Sequence, residues 1–324
     1  MQRRTFLHTG ALALAAGTTG AFAQSSWPAK PIKLIVPFPP GGGTDATSRL
    51  IAEKFTVLNQ WTVIVENRPG AAGNIGLDAV AKAQPDGYTI GMGQASNLSI
   101  NPALYAKMPF DPLKDFTPIV EIAVQPVVLV VRADSPFRTL ADFIKAAKAK
   151  PGDYSIAHAG NGTVGHLAGE MLTSRAGIQV LQVPYKGAGP AMNELLGGQV
   201  QLYFGNSVSV MSQMTGGKVR ALAVSSAQRL PVIGHVPTVA EQGYPGFDAT
   251  TWLGLVGPAG LPADVVARVN KEVGAMLARK EVQDKLAFEG NIPVTGTPQQ
   301  FAAFIKAEHT KWGNLIREAN IKLE

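Results

Sequence analysis

Short apolar runs rich in valine and isoleucine alternate along this chain with segments whose apolar residues recur every three to four positions. That alternation predicts an α/β architecture. Residues 32–36, 62–65, 88–92, 127–131, 154–157, 180–183, 200–204 and 219–224 read as strands. Among the helical segments 163–175 is the clearest, because Val164, Leu167, Ala168, Met171 and Leu172 fall on one stripe of a 3.6-residue period. Gly177 stands where a left-handed cap would end that helix. After residues 252–256 and the punctuation of Pro258 and Pro262 the chain turns mostly helical. Val266, Val269, Val273, Met276 and Leu277 form one core stripe there, and Phe301, Phe304, Ile305, Trp312, Leu315 and Ile316 another.

A length of 324 residues exceeds what single cores tend to support, so two lobes are expected. Turn residues near Ala123 to Gln125 and near Gln242 to Gly246 mark the boundaries. This predicts one lobe from 24–123 plus 246–324 and another from 124–245, with the chain crossing twice between them as a hinge.

Two stretches raise the question of a ligand. In "VPFPPGGGTDATSRLIAEKF", residues 36–55, a strand runs through prolines into Gly41, Gly42 and Gly43, and Thr44 and Asp45 open an amphipathic helix. In "YSIAHAGNGTVGHLAGEML", residues 154–172, a strand runs into Gly160, Asn161, Gly162 and Thr163 and a second helix follows. A glycine turn at a helix start leaves backbone N–H groups free to meet an anion. Thr44 or Asp45 could instead cap the first helix and satisfy its own backbone. Three glycines in a row weaken the chain without packing return, unless the backbone must turn tightly or admit something close. Two such ends, one per lobe, could grip one small acid from opposite sides. A charge-assisted hydrogen bond contributes about 1.5–3 kcal/mol, so three or four approach the roughly 8 kcal/mol of micromolar binding without an arginine.

The remaining composition narrows the alternatives. Arg3 and Arg4 precede Phe6, Leu7 and an Ala/Gly/Leu run, and Ala21-Phe22-Ala23 offers a small-x-small site, so residues 1–23 read as an export signal cut after Ala23. The arginine pair favours the twin-arginine route, with an ordinary secretory leader as the alternative. No later stretch reaches the ~18 uninterrupted apolar residues of a membrane span. The 29 basic residues less the two in the leader leave 27 against 23 acidic ones, scattered and without aromatic interleaving, which does not support nucleic-acid binding. Without cysteine there is neither a disulfide nor a thiolate metal site.

Catalytic patterns are sparse. Residues 160–165 match G-x-G-x-x-G, but the next strand ends without the acidic residue that would hold a ribose, so no nucleotide cofactor is expected. There is no G-x-S-x-G turn and no H-E-x-x-H, and no metal is expected. His158 and His166 flank the second turn and read as local hydrogen-bonding residues, with a base and an electrophile, or ligand contacts, as the alternatives. Asp45 could act as a base but has no partner at a telling spacing.

The motifs "PFPPGGGTD", "ENRPGAAGNIG", "PDGYTI", "HLAGEM", "VPYKGAGPAMNELLGGQV", "VRALAVSSAQRLP", "VPTVAEQGYPGF" and "GLVGPAGLP" stand in that order. Together they resemble the Bug family of periplasmic solute receptors of tripartite tricarboxylate transporters. The resemblance covers the chain from about Trp27 onward. It implies a type II periplasmic binding fold: two α/β lobes, a double-crossing hinge and a cleft that closes on a small carboxylate. It also implies membrane permease subunits as partners and a receptor that works as a monomer without a cofactor. Carried over residue by residue, the pinching loops are Phe38 to Asp45, with Gly42, Gly43 and Thr44, and Gly160, Asn161, Gly162 and Thr163. Gln94, Ser96 and Asn97 match a region that lines the cleft, and Phe38 supplies an apolar wall.

One departure stands out. Family members often read Phe-Asp-Asn where this chain has Phe204-Gly205-Asn206. Loss of that acid predicts a plain or aromatic carboxylate in preference to an amino acid, and loss of the side chain predicts room for bulk beside Gly205 and Asn206. An exported enzyme on the same scaffold and a receptor for a sensor kinase are the competing readings.

Overall fold

The computed structural model describes residues 27–318, 321 and 322. The expected leader, its arginine pair and the cut after Ala23 lie outside the described residues. The chain runs β1 (Ile32–Val36), α1 (Gly43–Asn59), β2 (Val63–Asn67), α2 (Asn74–Ala81), β3 (Thr89–Gln94), α3 (Asn101–Leu104) and β4 (Phe116–Arg132). It continues through α4 (Leu140–Ala149), β5 (Ser155–His158), α5 (Val164–Ala176), β6 (Leu181–Pro184), α6 (Ala188–Leu196), β7 (Leu202–Asn206), α7 (Ser207–Thr215) and β8 (Val219–Val224). It closes with β9 (Thr250–Pro258), α8 (Ala263–Leu277), α9 (Lys280–Phe288), β10 (Ile292–Pro293) and α10 (Pro298–Glu318).

The strands lie in the order β2-β1-β3-β9-β4-β7-β5-β6, with β8 and β10 also paired to β4. β1 is parallel to β2 and β3, and β5 is parallel to β6 and β7, so each half of the sheet carries strand-turn-helix units. β4 joins the halves. Through Pro126 it pairs with β9, and from Val127 it pairs with β7.

Only the second part of β4, residues 127–131, is legible as an apolar run. Its first part carries Pro118, Glu121, Gln125 and Pro126, and the ladder with β9 shifts register at Pro118/Val120 and again at Glu121/Ala123. Such irregularities accommodate proline and bend the strand. Ala123 to Gln125, expected at a turn, therefore lie mid-strand, and the passage from one half to the other is made by a paired ribbon. The stretch near Gln242 does hold a short helical turn, Ala240–Gln242.

Other elements sit within a residue or two of expectation. The helix expected at 163–175 is α5, with Thr163 as its cap and Gly177 left-handed at φ 59°. The C-terminal aromatics pack inward: Phe301, Ile305, Trp312 and Ile316 of α10 are buried, and Trp252 meets the rings of Phe301 and Phe304 edge-on. Burying such rings at about 25 cal/mol per Å² secures α10 against the sheet.

Candidate functional site

Each half of the sheet delivers one helix start to the same place. After β1 the chain turns through Gly41, whose φ is 85°, and α1 begins at Gly43 with Gly42 as its cap residue. No side chain caps α1. The amides of Gly43, Thr44 and Asp45 thus have no acceptor within the helix. Neither expected cap acts as one. Thr44 donates its hydroxyl to Gln94 Oε1 at 3.3 Å.

Asp45 is turned away from the opening and holds the turn. Its carboxylate accepts the Gly41 amide at 3.0 Å, the Arg49 guanidinium at 3.0 Å and the Asn67 amide at 2.9 Å. Asn67 also donates to the Phe38 carbonyl at 2.9 Å, so the end of β2 is fastened to the turn. Burial alone would raise the Asp45 carboxyl. The bonds from Arg49, Gly41 and Asn67 outweigh it and hold the group below its ordinary value. A carboxylate so occupied is not poised as a base.

The second turn is built differently. Thr163 caps α5 by accepting the His166 amide, which leaves the amides of Val164 and Gly165 free at the helix start. The amides of Gly160 and Gly162, expected to face a ligand, are used internally. Gly160 donates to His158 Nδ1 and Gly162 to His166 Nδ1, each at 3.3 Å. The two rings lie 4.7 Å apart between centroids, tilted by 37°. Burial first, and the neighbouring His166 second, push His158 down to about 3. Both histidines are therefore hydrogen-bonding supports of the turn, as the local reading held.

The two helix starts meet around a chamber of about 40 Å³. Of the expected site residues, Phe38, Gly42, Gly43, Thr44, Gln94, Ser96, Thr163 and Asn206 border it. Gly160 and Asn161 border a wider cavity outside, together with Phe38. Asp45, Asn97, Gly162 and Gly205 border neither. Asn97 lies behind the wall, accepting the Gln94 amide at 3.0 Å, and Gly162 faces Asn101 across the cleft.

The room expected beside Gly205 is taken. Tyr203, on the same face of β7, fills the space a side chain at 205 would need and lines the chamber itself. Beside it Asn206 donates to Gln125 Oε1 at 3.3 Å and accepts the Thr251 hydroxyl at 3.4 Å. Gln125, wholly buried on β4, also donates to Thr47 at 3.2 Å and Asn291 at 2.6 Å, so the chamber floor is tied to the ribbon joining the halves. Among the described residues no charged side chain lines the chamber. Tyr203, Thr251, Val164, Gly165 and Gly187 belong to it and were not anticipated. Val164 and Gly165 were available from helix-start logic, and Gly187 closes a third strand-glycine-helix turn, in "VPYKGAGPA".

Comparison with known proteins gives this geometry a context. The family described as "Tripartite tricarboxylate transporter family receptor" matches residues 48–321. The protein BugT of Bordetella pertussis is 36% identical over 310 residues, covering 95% of each chain. The solved structure of R. palustris Rpa4515 with adipate superposes with a TM-score of 0.89 at 34% identity, covering 91% of this chain and 99% of that one. MatC (Rpa3494) from Rhodopseudomonas palustris with bound malate superposes at 0.84 and 31% identity, covering 89% and 99%.

Proposed function

Because this chain belongs to the tripartite tricarboxylate transporter receptor family, we propose that it is an extracytoplasmic receptor whose chamber captures one carboxylate of a small organic acid. The observation that carries this reading is the pair of helix starts, α1 with uncapped Gly43, Thr44 and Asp45 amides and α5 with free Val164 and Gly165 amides, opposed across one small chamber. Aligned N–H groups and two helix dipoles favour a negative group there. Two relatives of the same fold carry adipate and malate, both dicarboxylates.

The neutral lining also predicts what is refused. An α-amino acid brings an ammonium beside its carboxylate, and among the described residues no acidic side chain borders the chamber to accept it. Amino acids should bind far more weakly than plain acids.

In this reading the lobes are residues 24–123 plus 246–324 and residues 124–245, hinged on the ribbon of β4 and β9. The protein is exported after cleavage at Ala23, acts as a monomer and hands its ligand unchanged to membrane permease subunits. A thermal-shift and calorimetric screen of mono-, di- and tricarboxylates, aromatic acids and amino acids tests the proposal. Plain acids should raise the melting temperature and be recovered intact. Tight aspartate or glutamate binding with no response to dicarboxylates would refute it, and consumption of the acid would restore the enzyme reading.

A further inference from the structure

The carboxylate chamber opens outward. Phe38, Pro39, Ala159 and Gly187 border both it and a second cavity of about 470 Å³ at the mouth of the cleft. A single water needs roughly 10–15 Å³ on such a measure. The 40 Å³ of the inner chamber therefore admits a carboxylate and little of the chain behind it. Any longer acid must continue past Phe38 and Gly187 into the outer cavity.

Charge is distributed unevenly between the two spaces. Among the described residues the inner chamber has no charged side chain on its wall, whereas the outer one has a single charged residue, Lys186. Among the described residues Lys186 makes no salt bridge. Its backbone is held in place on both sides. The Tyr185 amide donates to the His158 carbonyl at 3.0 Å, and Gly187, left-handed at φ 112°, packs against Pro39 from the other half of the sheet. Lys186 thus borders the cavity into which the far end of a bound acid must emerge, on a backbone fixed at both sides and with its ammonium exposed.

From this arrangement we infer that Lys186 is a second anchor and that the ligand class is a linear acid with two anionic ends, one on the helix-start amides and the other paired with Lys186. The inference rests on the carboxylate reading above and narrows it. A monocarboxylate of equal length leaves Lys186 in water, so the lysine discriminates between the two.

Calorimetry on the intact protein with paired acids of equal carbon number, pentanoate and glutarate, hexanoate and adipate, octanoate and suberate, tests this. For at least one pair the diacid should bind roughly three- to tenfold tighter, in keeping with a partly solvated charge pair, and added salt should shrink the difference. Lys186→Met should remove the difference between diacid and monoacid, and Lys186→Arg should keep it. A difference that survives in Lys186→Met, or that is absent in the unmodified protein while acids still bind, overturns the second anchor alone. Failure of every acid to bind would overturn the carboxylate reading and this inference with it.

Discussion

A Cβ on Gly205 would fall 2.5 Å from Cζ and 2.8 Å from the hydroxyl of Tyr203, two residues earlier on the same strand. Tyr203 is fully buried, and burial pushes its hydroxyl up to about 12, so it stays a neutral donor at the chamber wall. The small residue and the large one form one unit. Gly205→Ala should displace the ring, costing about 1–3 kcal/mol of stability as overpacking does, and should weaken acid binding as well. Gly274→Ala on α8, where nothing lies within 4 Å of the added carbon, should instead leave binding unchanged and stabilise by about 0.4–1 kcal/mol. Denaturant unfolding and calorimetry on both variants check the contrast.

Gly162 separates closure from folding. Its φ of 82° strains any L-residue, and an added Cβ would overlap Asn101 Oδ1 on the opposite half of the sheet. The backbone strain acts whenever the chain is folded, at about 1 kcal/mol. In the proposed hinged receptor the overlap with Asn101 acts only when the halves meet. Gly162→Ala is therefore expected to lose more than tenfold in affinity while its melting temperature falls no further than that of Gly152→Ala, which shares a left-handed φ of 84° but has nothing within 4 Å. Equal affinities in the two variants would remove the cross-cleft contact from the binding step.

The network around Asp45 should couple the first turn to pH. Its folded value is held below the ordinary 3.8 by Arg49, Gly41 and Asn67 against the effect of burial. A depressed carboxyl contributes stability above its unfolded value and loses it as pH falls through the folded one. Asp45→Asn should thus cost about 1–3 kcal/mol near neutrality and weaken acid binding, because the α1 amides lose the turn that presents them. As pH falls through the lowered folded value the variant and the unmodified protein should converge. Unfolding curves taken from pH 7 down through the acid range decide it.

Much of this site was readable from residue order because it is made of backbone. Glycines between a strand and an amphipathic helix announce free amides whatever the tertiary packing, so Gly42, Gly43, Thr44 and Thr163 could be placed without a structure. The same rule applied once more would have found Gly187. Where side chains choose between partners, residue order was silent. Nothing in "AHAGNGTVGH" says that both rings turn their Nδ1 atoms onto Gly160 and Gly162, so that the free amides at this helix start are those of Val164 and Gly165. The span of β4 was hidden for a related reason. Glu121, Gln125 and the two prolines break the apolar run, and what stabilises them in a strand is the distant partner β9. Tyr203 lay within reach of the period of two, since it shares a face with Gly205.

His158 supplies a second acid-sensitive contact. Burial and His166 hold it near 3 against an ordinary value of 6.5. A base with a lowered folded value contributes stability above its unfolded value, and the contribution drains away as pH falls from about 6.5 toward 3. Protonation also removes the lone pair that accepts the Gly160 amide. Between pH 7 and pH 4.5 the unmodified protein should lose on the order of 2–3 kcal/mol from this group, and His158→Gln should lose correspondingly less. Parallel slopes for the two proteins would show that the ring is not the titrating support.

Glu121 should act in the opposite direction. It is 9% exposed on β4, where burial and then the carboxylate of Glu308 raise its value to about 7. Glu308 is better provided for, accepting the indole N–H groups of Trp252 at 3.2 Å and Trp312 at 2.9 Å, with Lys311 at 3.3 Å. Glu121 is thus the member of the pair that takes the proton. A raised carboxyl contributes stability fully below its unfolded value of about 4.5, and that stability is lost as pH rises through 7. The shift corresponds to about 3–4 kcal/mol at most. Glu121→Gln, which stays neutral, should match the unmodified protein near pH 4.5 and exceed it at pH 8.5 by a sizeable part of that amount. Thermal melts across this range, with Glu289→Gln as a second raised carboxyl away from the pair, would show whether the gain belongs to Glu121. A variant no more stable than the unmodified protein at pH 8.5 would mean that Glu121 reaches water when charged and that the Glu121–Glu308 repulsion is relieved without a proton.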